Sequence, residues 1–117
     1  MAKKATIYHN PKCSTSRQVR EMIEAAGYTP EVIEYLKTGW TKKQLKQLFA
    51  DAGVTARQVL RTKAAEAEEL GLLDTKVSDA KLLDAMVEHP VLVERPFVVT
   101  AKGTLLARPK ERVREVL

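Results

Sequence analysis

Ala5-Thr6-Ile7-Tyr8-His9-Asn10-Pro11-Lys12-Cys13-Ser14-Thr15-Ser16-Arg17 is the stretch that decides how this chain folds and where its chemistry lies. It opens on Ala5-Thr6-Ile7-Tyr8, a short β-branched and aromatic run that predicts a strand. It closes on hydroxyl residues: Ser14, Thr15 and Ser16 offer N-caps for a helix. Val19, Met22, Ile23 and Ala26 then follow the i, i+3, i+4, i+7 spacing of one helix face. Between strand and helix stands Cys13, the only cysteine among 117 residues. A helix N-terminus presents backbone N–H groups and the positive end of the macrodipole. Both favour a thiolate over a thiol, and an anion beside it. A free thiol of pKa about 8.5 is only ~3% ionised at pH 7. Lowering that pKa by about two units, roughly 2.7 kcal/mol, makes most of it nucleophile. An inert core cysteine sits among apolar side chains. Pro11 and Lys12 precede Cys13, and two serines and a threonine follow it, so its setting is that of a reactive thiol.

Outward from this stretch, Gly27 is the expected helix stop, and Glu31-Val32-Ile33-Glu34-Tyr35-Leu36 reads as a second strand. Strand, helix, strand at this spacing is a βαβ unit, which predicts a parallel pair. The middle is helical. Thr41-Lys42-Lys43-Gln44 is a capping box, and Leu45, Leu48, Phe49 and Ala52 carry helical spacing up to Gly53. A turn around Ala56 to Leu60 precedes an Ala/Glu-rich helix from about Ala64 to Leu70. Ser78 caps a further helix that His89-Pro90 ends. Phe97-Val98-Val99-Thr100 and Thr104-Leu105-Leu106-Ala107 flank Ala101-Lys102-Gly103 as an antiparallel hairpin. Pro109 suits the first position of a last short helix over Lys110 to Leu117. The sum is an α/β chain in the order of a thioredoxin-like fold. It predicts a mixed four-stranded sheet with a helical insertion, about 41–89, between the βαβ and ββα halves. Residues 1–117 are expected to form one domain.

Composition bounds the function. With 44% hydrophobic and 30% charged residues the chain has the balance of a globular protein long enough for a real core. One cysteine excludes an intrachain disulfide, and with two histidines it disfavours a structural zinc site, so no metal is expected. A free thiol suits a reducing compartment, and no run resembles a signal peptide or a membrane span; the expected location is cytoplasmic. The net charge of +5 is spread along the chain and aromatics are only 5%, so no stacking groove for nucleic acid is read here.

Three arginines stand out. Arg61 closes Val59-Leu60-Arg61, while Arg95 and Arg108 each precede a proline, in Glu94-Arg95-Pro96 and Ala107-Arg108-Pro109. A following proline restricts the arginine backbone and fixes how its side chain departs. A cis bond at Arg95-Pro96 would bring backbone groups beside the Cys13 loop. Guanidinium groups are suited to tetrahedral oxyanions because they are planar, bidentate and permanently charged. Several of them converging on a thiolate would cancel the repulsion between two reacting anions.

The whole chain resembles the glutaredoxin-dependent arsenate reductase family of the thioredoxin-like superfamily. The resemblance rests on Tyr8 through Arg17, Leu60-Arg61, Glu69-Leu70-Gly71-Leu72, His89-Pro90, Glu94-Arg95-Pro96-Phe97-Val98-Val99 and Arg108-Pro109. It implies Cys13 as nucleophile attacking arsenate, and His9 as the residue that lowers the thiol pKa. It also implies a substrate-binding set of Arg61, Arg95 and Arg108 with Ser16 and Arg17 of the first motif. No bound cofactor is implied. Lacking a second thiol, the chain needs glutathione to resolve the adduct and glutaredoxin to regenerate the enzyme, with arsenite released. Ser16 stands where a dithiol motif has its second cysteine. Ser14 takes the place of a glycine often found after the cysteine, and the chain stops sooner after Arg108 than the best-known members do. A phosphatase-like cysteine loop is excluded, because the arginine it needs six residues on is here Val19. Two other readings stay open at this point. One is a general glutathione-dependent thiol oxidoreductase. The other is a non-enzymatic thioredoxin-like regulator that binds RNA polymerase.

Overall fold

Strand β1 (Lys3–Tyr8) is an interior strand of a four-stranded mixed sheet in the computed structural model, which describes residues 3–117. It pairs in parallel with β2 (Tyr28–Ile33), in register from Lys3↔Tyr28 to Tyr8↔Ile33. On its other edge it pairs antiparallel with β3 (Phe97–Thr100), Tyr8 facing Phe97. β3 continues antiparallel to β4 (Gly103–Leu106), Phe97 facing Leu106. The order β2-β1-β3-β4 is the thioredoxin-like sheet that the element order predicts.

Period-two alternation in β1 sends Ala5 and Ile7 to a covered face, where both are fully buried. They meet Val19 and Ile23 of helix α1 (Ser14–Ala25), Val98, Leu105, and Val113 of a 3-10 turn over Lys110–Val116. Each such aliphatic side chain removed from water contributes about 1.5–3 kcal/mol. Gly27, at φ 86°, then turns the chain from α1 into β2 in a conformation that other residues adopt only with strain.

Three local expectations are corrected here. The second strand is Tyr28–Ile33, not Glu31–Leu36. It starts directly after Gly27 because parallel pairing with β1 claims Tyr28, and Pro30 is tolerated because β2 is an edge strand. Tyr35–Thr38 is instead one helical turn, α2, in which Lys37 and Thr38 N–H groups donate to Glu34 O. At the carboxyl end the helix is of 3-10 type. Pro109 precedes it in an extended conformation, because Arg112 N–H closes on Pro109 O at 3.0 Å in a three-residue turn. β4 ends at Leu106, one residue early, as Ala107 N–H turns to Pro96 O at 2.9 Å.

By internal contacts the chain divides into two units. The first joins the described residues up to Thr38 with Arg95–Leu117, and the second is Gly39–Glu94. The second unit is the helical insertion. It holds α3 (Lys42–Ala52), α4 (Ala56–Val59), α5 (Ala65–Glu69) and α6 (Asp79–Glu88). The Thr41/Gln44 capping box is present in both directions, and Gly53 closes α3 at φ 67°. A second box, Thr55/Gln58, starts α4. Ser78 Oγ caps α6 by accepting from Lys81 N–H at 3.3 Å. α6 packs on α3 and α4, and contributes the fully buried Leu82 and Met86. Arg57 ties the loop before α6: its guanidinium donates to Leu72 O (2.7 Å), Asp74 O (3.0 Å) and Val77 O (3.0 Å).

Candidate active site

The chain leaves β1 into a tight loop closed on itself. Cys13 N–H donates to Asn10 O at 3.0 Å, and the Asn10 side chain accepts from Lys12 N–H at 3.0 Å. This is the turn chemistry that Asn10-Pro11 encodes. Arg17 N–H then closes the first helical bond on Cys13 O, 3.0 Å. Cys13 is therefore the N-cap of α1, in place of the hydroxyl residues the sequence offers, and no side-chain hydrogen bond caps the helix. The consequence is chemical. The amides of Thr15 and Ser16, which a capping hydroxyl would otherwise engage, are directed at the sulfur.

Cys13 is 9% exposed. Burial pushes its thiol pKa up. That effect is outweighed by the Ser16 amide, by the charge and hydrogen-bonding of the Arg95 guanidinium, and by the Thr15 amide. The net result lies below the ordinary thiol value, so the site favours thiolate.

Arg95 reaches the sulfur because of strand register. Tyr8 faces Phe97, so the residues just before β3 lie beside the loop that follows β1. Phe97 in turn faces Leu106, which brings the exit of β4 against the entry of β3. Arg108 Nη1 donates to Arg95 O at 3.1 Å. The Arg95-Pro96 bond is cis, as is Arg108-Pro109. Two of the three arginines singled out by sequence are thus neighbours at one end of the sheet, both half-buried.

His9 and Ser16 form a second layer beneath the loop. His9 is 3% exposed and Ser16 is fully buried. Their Nδ1 and Oγ atoms are 2.6 Å apart, and Ser16 Oγ accepts from Asn10 N–H at 3.1 Å. Burial and then Arg20 hold the His9 pKa below 6.5, against an opposing effect of Glu34 that exceeds the further lowering by Arg17. The imidazole is neutral at pH 7. The Ser16 hydroxyl, with two acceptor lone pairs and one proton, accepts from Asn10 N–H and shares one further hydrogen bond with Nδ1, whose direction follows the imidazole tautomer. His9 is not among the groups that shift Cys13; its partner is Ser16, whose amide is.

Arg17 and Arg61 complete the expected set. Arg17 is exposed, its Nη1 donating to Pro11 O at 2.8 Å, so its guanidinium braces the loop from outside. Arg61 belongs to the helical unit, between α4 and α5. Its N–H donates to Leu92 O at 2.8 Å beside the Leu60↔Val93 bridge. Asn10 was not singled out from sequence, although Asn-Pro is the signal that could have found it. Among the described residues no helix is long and apolar enough to cross a membrane.

A β2-β1-β3-β4 sheet with a lone thiol at the N-terminus of its first helix defines a single-cysteine protein of the thioredoxin-like class. Residues 8–116 match the ArsC family. An arsenate reductase, ArsI2, from Synechocystis sp. is 60% identical over 111 residues, covering 95% of this chain and 79% of that protein. The arsenate reductase of Escherichia coli is 49% identical over 112 residues, with 96% and 79% covered. A solved arsenate reductase from Vibrio cholerae superposes with a TM-score of 0.94 at 42% identity, over all of both chains. The chain belongs to the ArsC family of glutaredoxin-dependent arsenate reductases, in the thioredoxin-like superfamily.

Proposed function

We propose that this protein reduces arsenate to arsenite, with Cys13 as nucleophile and Arg95 as the group that makes the attack possible. One observation carries the reading: the Arg95 guanidinium and two α1 amides converge on one sulfur and together outweigh its burial. The thiolate forms a bond to arsenic(V), and one arsenic oxygen leaves as hydroxide or water. Two unit charges of like sign at 4 Å repel by about 4 kcal/mol at an effective dielectric of 20. Fixed guanidinium charge at the point of approach offsets that repulsion. Arg108, held against the Arg95 carbonyl, supplies a second guanidinium on the same side. Arg61 is assigned as the third on family resemblance.

With one cysteine, the chain cannot complete the reduction alone. Two thiols must supply two electrons: glutathione, which attacks the cysteine-bound arsenic, and glutaredoxin, which takes the glutathione as a mixed disulfide. Glutathione displaces an arsenic hydroxyl as water, arsenic passes from V to III as glutaredoxin takes the glutathione, and a water then hydrolyses the Cys13–arsenic(III) bond, releasing arsenite and restoring the thiolate. Dependence on reduced glutathione places the reaction in a reducing compartment, the cytoplasm. Ser16 serves through its amide, and His9 acts through Ser16.

The test is arsenate-dependent NADPH oxidation coupled through glutathione, glutathione reductase and glutaredoxin. Turnover by the wild type and its loss in Cys13→Ser are expected. Absence of wild-type turnover under these conditions overturns the reading.

A further inference from the structure

Beside the site lies a depression of about 340 Å³ lined by Thr15, Arg108, Pro109, Lys110 and Glu111. Two routes connect it to the sulfur. Thr15 directs its backbone N–H at Cys13 and also forms a wall of the depression. Arg108, another wall, is hydrogen-bonded to the Arg95 carbonyl, and the Arg95 guanidinium faces Cys13. A molecule seated here lies next to whatever is bound to the sulfur.

The lining carries two cations and one anion with a hydroxyl. Lys110 is held along the wall, its Nζ donating to Gln18 Oε1 at 3.3 Å. Such a wall is complementary to a small ligand with two carboxylates and one ammonium. Arsenate alone has no ammonium for Glu111 to meet, so a second, zwitterionic molecule fits the charges better. The thiol co-substrate has that pattern: glutathione carries two carboxylates, one ammonium and a central thiol.

We propose that this depression is the glutathione subsite, with Lys110 pairing a glutathione carboxylate and Glu111 its ammonium. The inference rests on the arsenate-reductase reading above. It adds the place from which the second thiol reaches the cysteine-bound arsenic, and it makes Lys110 and Glu111 determinants of which thiol is accepted. Charge pairs in such a partly exposed setting each change affinity by up to roughly fivefold.

The experiment titrates S-methylglutathione, which cannot react, into 15N-labelled protein. Amide shifts centred on Thr15, Lys110 and Glu111 are expected. Lys110→Glu is expected to weaken the dissociation constant about fivefold and Lys110→Arg to restore it, with the Cys13 alkylation profile unchanged. In the coupled assay the same Lys110→Glu change raises KM for glutathione and leaves KM for arsenate alone. Shifts confined to another surface, or an affinity indifferent to Lys110→Glu, overturn the subsite even if arsenate reduction is normal. Probe binding at this depression without arsenate turnover by any thiol leaves the subsite standing and removes the arsenate reading instead.

Discussion

His9 Nδ1 and Ser16 Oγ lie 2.6 Å apart, both residues buried, and this contact underpins the loop that presents Cys13. Ser16 accepts from Asn10 on one side and engages His9 on the other, while its amide faces the sulfur. Removing the hydroxyl leaves a buried imidazole nitrogen and a buried amide without their partner. Ser16→Ala is therefore expected to destabilise the protein by about 1–3 kcal/mol. Urea denaturation measures this; a midpoint equal to wild type would mean water takes over both contacts.

Arg95 lowers the thiol pKa alongside the Ser16 and Thr15 amides. Arg95→Ala removes both a charge and a donor from Cys13, so the pH profile of iodoacetamide alkylation is expected to move up toward the ordinary thiol range. Arg95→Lys keeps the charge but loses the planar fork. The alkylation profile then moves less, while kcat/KM for arsenate falls by about 10²-fold. Wild-type turnover in Arg95→Lys would show that bidentate geometry at this position is not used.

Stability is expected to rise with pH in two windows. The His9 pKa is lowered on folding, so below its unfolded value of 6.5 the unfolded chain binds a proton that the native one does not. Stability falls as pH drops from 6.5 toward the native value, and His9→Gln flattens that slope. The Cys13 pKa is likewise lowered, here from 9.0, so its contribution is complete above 9.0 and lost as pH falls through the native value. Cys13→Ser flattens this second window only. Chemical denaturation at half-unit pH intervals reads both slopes.

Arg57 holds three carbonyls of the loop before α6, from Leu72, Asp74 and Val77. Arg57→Ala is expected to cost about 1.5–3 kcal/mol, and Arg57→Lys to recover only part, since an ammonium cannot span the same three acceptors in one plane. Hydrogen exchange is the sharper readout. Amides over 72–77 lose protection first, and uniform loss across the chain would instead indicate global destabilisation.

Local signals carried much of the fold. The Thr41/Gln44 box, the glycine after α3, the Ser78 cap and the Phe97–Thr100 strand are all interactions within a few residues, and each is found where its residues stand. The second strand was misplaced because a partner distant in sequence decides it, whereas the helix cap was decided by a turn three residues long. β2 begins at Tyr28 because β1 pairs with it from Lys3, and Tyr35-Leu36, apolar enough for a strand, turns into a helix beyond the last pairing at Ile33. Cys13 became the helix cap because the Asn10 turn delivers it there, ahead of three better-capping hydroxyls.

By itself the amino-acid sequence determined the unique thiol, its place between a strand and a helix, and the arginines worth suspecting. These are properties of residue type and short spacing. Which arginines reach the sulfur, and what His9 touches, depended on tertiary structure. Tyr8 facing Phe97 and Phe97 facing Leu106 are pairings between segments far apart along the chain. Only that register puts the Arg95 guanidinium against Cys13 and Arg108 against Arg95, because charge acts over the few ångströms that folding creates.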